Sequence, residues 1–205
     1  MKKHLLALTL LCAALSACSS LPSGNAPSSH AVAPYREQIE LAGRLNVLYQ
    51  KDDKPESATV NFTWQQSAAR TDVGLFSPVG STLATIAVTP QQAVLTQSGK
   101  APRSAPDVDS LSAQMLGWAL PVSGLRDWLQ GYATGEDGKR FVASPQHDSV
   151  TTRDGWRLRY VSWQDAGPDG APQPKRIDAE RNTSAQTDAV SLRIVLDPIT
   201  PASAP

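Results

Sequence analysis

Histidine and cysteine, on which most metal sites and much acid–base catalysis are built, are scarce in this chain of 205 residues. Of three histidines, His4 and His30 lie near the N-terminus; only His147 falls among core-forming segments, in a loop with no Glu or Cys at ligand spacing. Both cysteines, Cys12 and Cys18, are N-terminal as well, so no disulfide is expected to hold a domain together. An excess of one charge is lacking: 19 basic residues balance 19 acidic ones, and no basic stripe points to nucleic acid. There is no G-x-S-x-G elbow, no G-x-x-x-x-G-K-[ST] loop and no dinucleotide fingerprint. Paired carboxylates occur only as Asp52-Asp53 and Glu136-Asp137-Gly138, which are turn residues. No catalytic residue, metal ligand or cofactor is therefore assigned, and an enzyme is not expected.

What is present begins at the N-terminus. Lys2 and Lys3 precede an apolar run from Leu5 to Leu15 that is too short to span a bilayer comfortably. Leu15-Ser16-Ala17-Cys18 closes it and resembles the lipobox of bacterial lipoprotein signals. Residues 1–17 are expected to be a cleaved export signal, and Cys18 the lipid-modified first residue of the mature chain. No second apolar stretch reaches membrane-spanning length, so attachment would rest on those lipids alone. Residues 18–34, rich in Ser, Pro, Ala and Gly, have the composition of a flexible tether. One domain is expected over residues 35–197, followed by a frayed tail, 198–205, with three prolines in eight residues.

Period-two alternation dominates that domain. Ile39, Leu41, Leu45, Val47 and Tyr49 share one parity, and Ala58, Val60, Phe62 and Trp64 another, across a polar turn from Lys51 to Glu56. Thr71, Val73 and Leu75, then Ala84, Ile86 and Val88, then Ala93 to Thr96 continue the series. The period then changes: Leu111, Met115 and Trp118 suit a short helix, and Leu125, Trp128 and Leu129 a second one, capped by Ser123 and stopped at Gly131. Strands resume at Arg140–Ser144, at Ser149–Arg153 and at Trp156–Trp163, the last two joined by an Asp154-Gly155 turn. A loop from Asp165 to Pro174, a short strand around Ile177 and a final one at Val190, Leu192, Ile194 and Leu196 follow. Nine or ten sequential strands with a helical insertion suggest a mainly β fold, an open antiparallel half-barrel with helices over a hydrophobic cavity.

Five tryptophans, Trp64, Trp118, Trp128, Trp156 and Trp163, lie on these elements, as suited to a packed core as to a cavity lining. Composition alone does not separate the two. Phe62-Thr63-Trp64-Gln65-Gln66, Ser77-Pro78-Val79-Gly80-Ser81-Thr82, and Pro121 followed by Gly124-Leu125-Arg126-Asp127-Trp128-Leu129-Gln130-Gly131 stand in an order and spacing that resemble the LolB family of outer-membrane lipoprotein receptors. The resemblance runs from about Tyr35 to Asp197. Ser19 and Ser20 fit it, since an Asp after the cysteine would look like an inner-membrane retention signal.

The resemblance implies a receptor, anchored through Cys18 to the periplasmic face of the outer membrane, that takes triacylated lipoproteins from the carrier LolA and inserts them without catalysis. Its partners would be LolA, client acyl chains and outer-membrane lipid, and a monomer is expected. At about 0.8 kcal/mol per buried CH₂, an acyl chain gains on the order of 10 kcal/mol on leaving water, so its path must stay apolar. The expected lining is Leu45, Val47, Val60, Phe62, Trp64, Val73, Leu75, Ile86 and Val88 from strands, with Trp118 and Trp128 from helices. The family resemblance also implies a membrane-contact loop with Val79 at its tip and Phe76 beside it. Two other readings predict different things: a membrane-anchored binder of lipid or another hydrophobic ligand needs the same cavity but no LolA, and a structural or assembly lipoprotein needs a filled core and an exposed patch.

Overall fold

The computed structural model describes residues 31–51, 54–116, 120–166, 171–181 and 189–198. The expected signal, Cys18, most of the tether and of the tail, and Trp118 lie outside them. The strands are β1 (Ile39–Lys51), β2 (Lys54–Gln66), β3 (Thr71–Phe76), β4 (Thr82–Val88), β5 (Ala93–Thr96) and β6 (Arg103–Ala105). Helices α1 (Val108–Leu116) and α2 (Val122–Trp128) follow, then β7 (Tyr132–Thr134), β8 (Arg140–Val142), β9 (Ser149–Thr151), β10 (Arg157–Ala166), β11 (Ala171–Arg181) and β12 (Val190–Leu196).

Ten strands form one antiparallel sheet in the order β6-β5-β4-β3-β2-β1-β12-β11-β10-β9, which leaves β6 and β9 as edges, so the sheet is open. Strands β7 and β8 form a separate hairpin. Cross-strand register puts the apolar parity of every strand on one face: Leu45 stands opposite Val60 and Ile194, Val73 opposite Trp64 and Ile86, and Ile177 opposite Tyr160 and Ile194. Arg44, Thr63, Thr85, Arg159 and Arg193 occupy the other face, which is wet. Gly43 interrupts the apolar row for a steric reason. A Cβ there would lie 2.4 Å from the Val195 carbonyl oxygen and 3.1 Å from Phe62, so only glycine lets β1 pass between them.

Several local expectations change in the folded chain. Ser123 does not cap α2: Pro121 occupies the cap position, and the Asp109 carboxylate in the first turn of α1 accepts from the Ser123 N–H (3.0 Å) and hydroxyl instead. The Ser112 hydroxyl likewise accepts from Leu120 N–H (2.9 Å), so α1 supplies polar groups that the short α2 cannot find in itself. The loop expected at Asp165–Pro174 shrinks, because β10 and β11 extend to Ala166 and from Ala171. Pro172 and Pro174 fit there because β11 pairs with β12 only from Arg176 onward and the β10 ladder is irregular near Ser162. Strands β6 and β7, three residues each, are too short to show an alternation, which is why twelve strands stand among the described residues where nine or ten were expected. The stop at Gly131 holds, with φ +85° and its N–H bonded to the Trp128 carbonyl. So does the turn at Gly155, with φ +78°.

The body also begins earlier than Tyr35. Val32 donates its N–H to the Ala143 carbonyl (3.0 Å) and packs on Gly131, while Tyr132 donates its hydroxyl to the Ala33 carbonyl (2.8 Å). Tyr35 meets Tyr132 edge-on at 5.5 Å, with the Arg140 guanidinium over both rings. The last residues of the expected tether are thus seated on the β7–β8 hairpin.

Candidate functional site

The apolar face divides into a sealed part and an open part. Over β9 to β12 it is closed by α2 and the β7–β8 hairpin: Trp156, Leu158, Tyr160, Ile177, Leu192 and Ile194 are all at most 1 % exposed. Phe141 from β8 stacks on Tyr160 (6.2 Å), Trp163 also stacks on Tyr160 (5.8 Å), and Trp128 tilts against Trp156 (6.0 Å). Burial pushes the Tyr160 hydroxyl well above its ordinary pKa, with the Asp127 charge adding to the shift.

Over β1 to β4 the same face is only partly covered. Phe62, Trp64 and Val73 are buried, but Leu45, Val47, Val60, Leu75, Ile86 and Val88 are half-buried, joined by Leu41 and Tyr49 of the same parity and by Met115 and Leu120 from the helical segment. Trp64 satisfies its indole N–H on the Gln66 side chain (3.1 Å), whose amide in turn donates to the Tyr35 hydroxyl (3.1 Å). That chain ties the largest side chain of the region to the seated N-terminal segment.

Between this face and the helices lies a cavity of about 280 Å³, walled by Trp64, Val88, Val108 and Val122. Arg126 of α2 sits at its rim and donates to the Ser67 carbonyl (2.6 Å), the Thr71 hydroxyl (3.1 Å) and Glu37 (3.3 Å), which fastens α2 to the β2–β3 turn. The described volume falls just below the roughly 300–1,000 Å³ of sites that enclose a drug-sized ligand. A volume of this size has room for only part of a long hydrocarbon chain, and the half-open apolar face lies beside it.

All nine strand residues of the expected lining share this face; Phe62, Trp64 and Val73 are buried in it, and of these Trp64 also walls the cavity. Trp128 belongs to the sealed part. Arg126 and Gly43 were missed: an arginine that fastens a helix and a glycine that lets strands pass carry no period-two or period-3.6 signal. Leu41 and Tyr49 could have been added, because their parity was already visible. Among the described residues no group of His, Cys, Asp and Glu could hold a metal, and no helix is long and apolar enough to cross a membrane. His147 is an exposed loop residue whose ring meets Phe141 edge-on at 4.7 Å.

The loop between β3 and β4 is a tight turn. Gly80 N–H bonds the Ser77 carbonyl (2.9 Å), Ser77 N–H bonds the Ser81 carbonyl (2.8 Å), and Gly80 takes φ +90°. Pro78 presets the turn, and Val79 is lifted to 89 % exposure, the most exposed large apolar residue described. Phe76 does something else: its ring lies on Gly74, where a Cβ would come within 2.9 Å of it, and it is half-buried on the wet face.

The family model described as outer membrane lipoprotein LolB matches residues 37–198. Proteins named outer-membrane lipoprotein LolB are similar over most of their length. That of Cupriavidus necator is 38 % identical, covering 91 % of each chain, and that of Cupriavidus taiwanensis 38 % identical, covering 95 % of this chain and 97 % of its own. That of Ralstonia nicotianae is 34 % identical over 94 % of each. Among solved structures, a LolA superfamily protein from Nitrosomonas europaea matches 82 % of this chain and 88 % of its own with a TM-score of 0.46 and 11 % identity. The chain belongs to the LolB family of outer-membrane lipoproteins, which are receptors and not enzymes.

Proposed function

We propose that this chain accepts triacylated lipoproteins from the periplasmic carrier LolA and delivers them to the outer membrane, with Cys18 carrying its own lipid anchor. The observation that carries the reading is the half-buried apolar face of β1 to β4 beside a cavity that Trp64 and Val88 help to line. A face this apolar would be covered in an ordinary core, as it is over β9 to β12. Left partly open, it offers acyl chains a surface that competes with water but not overwhelmingly with a bilayer, which transfer in one direction requires.

In this scheme Leu45, Val47, Val60, Leu75, Ile86 and Val88 contact the chains directly. Phe62, Trp64 and Val73 form the wall behind them, and Val79 touches the membrane at delivery. The test mixes purified domain lacking the N-terminal lipid with LolA loaded with labelled lipoprotein and follows the label by pull-down. Movement of label to the domain supports the receptor reading. Label that stays on LolA while the domain still binds a fluorescent fatty acid transfers the lead to a general lipid binder.

A further inference from the structure

We infer that the free edge of β2 between Lys54 and Val60 pairs with the extended polypeptide that follows the acylated cysteine of a client, adding it to the sheet as a strand. This rests on the acyl-chain reading above and says where the protein part of the cargo runs.

The edge follows from the register. Strand β2 pairs with β1 along its whole length, but β3 reaches only to Phe76, opposite Asn61, before turning into the 77–81 loop. Among the described residues, 54–60 therefore have a strand partner on one side only, and Lys54 to Thr59 are all exposed. The direction of the unpaired groups can be read from β1. Asp197 N–H bonds the Ala42 carbonyl (2.9 Å), so Ala42, Arg44 and Asn46 point toward β12, and Gly43, Leu45 and Val47 toward β2. Their partners Phe62, Val60 and Ala58 return those bonds, which leaves the N–H and C=O of Ser57 and Thr59 aimed outward. Pro55 has the same outward parity, where its missing N–H costs the β1 ladder nothing.

Natural edges are usually blunted by charge or proline. Here Lys54, Pro55 and Glu56 blunt the tip of the hairpin, and the stretch from Ser57 to Val60 is left unprotected. That stretch adjoins the open apolar face, because Val60 stands opposite Leu45 and its neighbour Phe62 opposite Leu75. A chain whose first residue carries lipid on that face leaves it beside this edge. Pairing through main-chain hydrogen bonds ignores side-chain identity, which suits a receptor that must hold clients of differing sequence.

The experiment compares two ligands on the purified domain: a triacylated cysteinyl hexapeptide and triacylated cysteine amide, which has no peptide to pair. Two double variants are used, S57P/T59P, which removes both outward N–H groups, and S57A/T59V, which keeps them. The hexapeptide should bind unaltered protein and S57A/T59V about tenfold more tightly than the amide, and S57P/T59P should erase that difference while still binding the amide. Equal affinity for both ligands on unaltered protein would overturn the inference and leave the receptor reading standing. Failure of both ligands to bind would sink the receptor reading itself. Concentration-dependent dimerisation that the proline variant abolishes, with no change in peptide preference, would assign the edge to a second copy instead and overturn the inference.

Discussion

Substitution at Val79 isolates membrane delivery from cargo binding. The side chain is 89 % exposed on a turn held by main-chain bonds between Ser77, Gly80 and Ser81, so changes there should leave the thermal midpoint almost unmoved. Burying a valine in an apolar layer gains about 1.5–2 kcal/mol, and Val79→Leu adds one CH₂, about 0.8 kcal/mol, or about fourfold in membrane affinity. Val79→Glu forfeits that gain and requires a carboxylate to lose water, a loss of about tenfold or more. The assay loads each variant with labelled lipoprotein and measures release into liposomes, with uptake from LolA measured separately. Release should rank leucine above valine above glutamate, while uptake stays constant. Release that is equal across the three, or uptake that falls in step with release, would refute the role given to the tip.

Three further outcomes follow from the same geometry. Leu75→Ser, on the open face, should weaken binding of a fluorescent fatty acid while destabilising the fold in urea by about 1–2 kcal/mol, whereas Trp64→Ala, in the wall, should cost about 3–5 kcal/mol. Gly43→Ala should destabilise by about 2 kcal/mol in urea, since the new Cβ meets backbone that cannot rotate away. The third concerns acid. Asp107 accepts from the Ser110 N–H (2.7 Å) and then its hydroxyl (2.8 Å), which hold its carboxyl below the usual range. A depressed carboxylate contributes stability above its unfolded pKa and loses it as pH falls through the folded value. Far-UV circular dichroism should thus show loss of helix beginning below about pH 4, and Asp107→Asn should remove that component.

The strands were legible where alternation ran long enough. Ala93–Thr96 is found to the residue, and β1, β4 and β12 to within about two residues at an end, because a half-buried strand must alternate and a helix cannot. Strand β2 instead starts at Lys54, inside the turn expected at Lys51 to Glu56, where its polar residues pair with β1. What failed had no such signature. Pro172 and Pro174 read as loop, since proline removes a ladder bond; their place in β11 depends on a missing neighbour along that stretch, a fact of topology. Ser123 read as a cap because its side chain fits that role, yet Asp109, fourteen positions away in the chain, fills it better with a full charge. The seating of Val32 to Tyr35 was hidden for the same reason: its partners Gly131, Tyr132, Arg140 and Ala143 are about a hundred residues distant.

The division of the apolar face into sealed and open parts shows most sharply where sequence reasoning stops. Leu45 and Ile194 face each other across one register position, both aliphatic, both inward, and no pattern in their own strands distinguishes them. One is half-buried and the other 1 % exposed because the 120-to-144 insertion folds back over β10 to β12 and not equally over β1 to β4. The asymmetry is set by where the insertion is fastened: Trp128 on Trp156 and Phe141 on Tyr160 hold it toward the sealed side, and Arg126 holds the end of α2 to the β2–β3 turn. A cavity is thus a property of the cover as much as of the face. Repacking the cover, and not only altering the lining, should shift the balance between holding an acyl chain and giving it up. Arg126→Gln keeps the apolar lining intact while weakening one fastening of α2. It should raise the rate at which a bound fluorescent fatty acid leaves, with little change in emission maximum; an unchanged rate would mean that α2 is held by its apolar contacts alone.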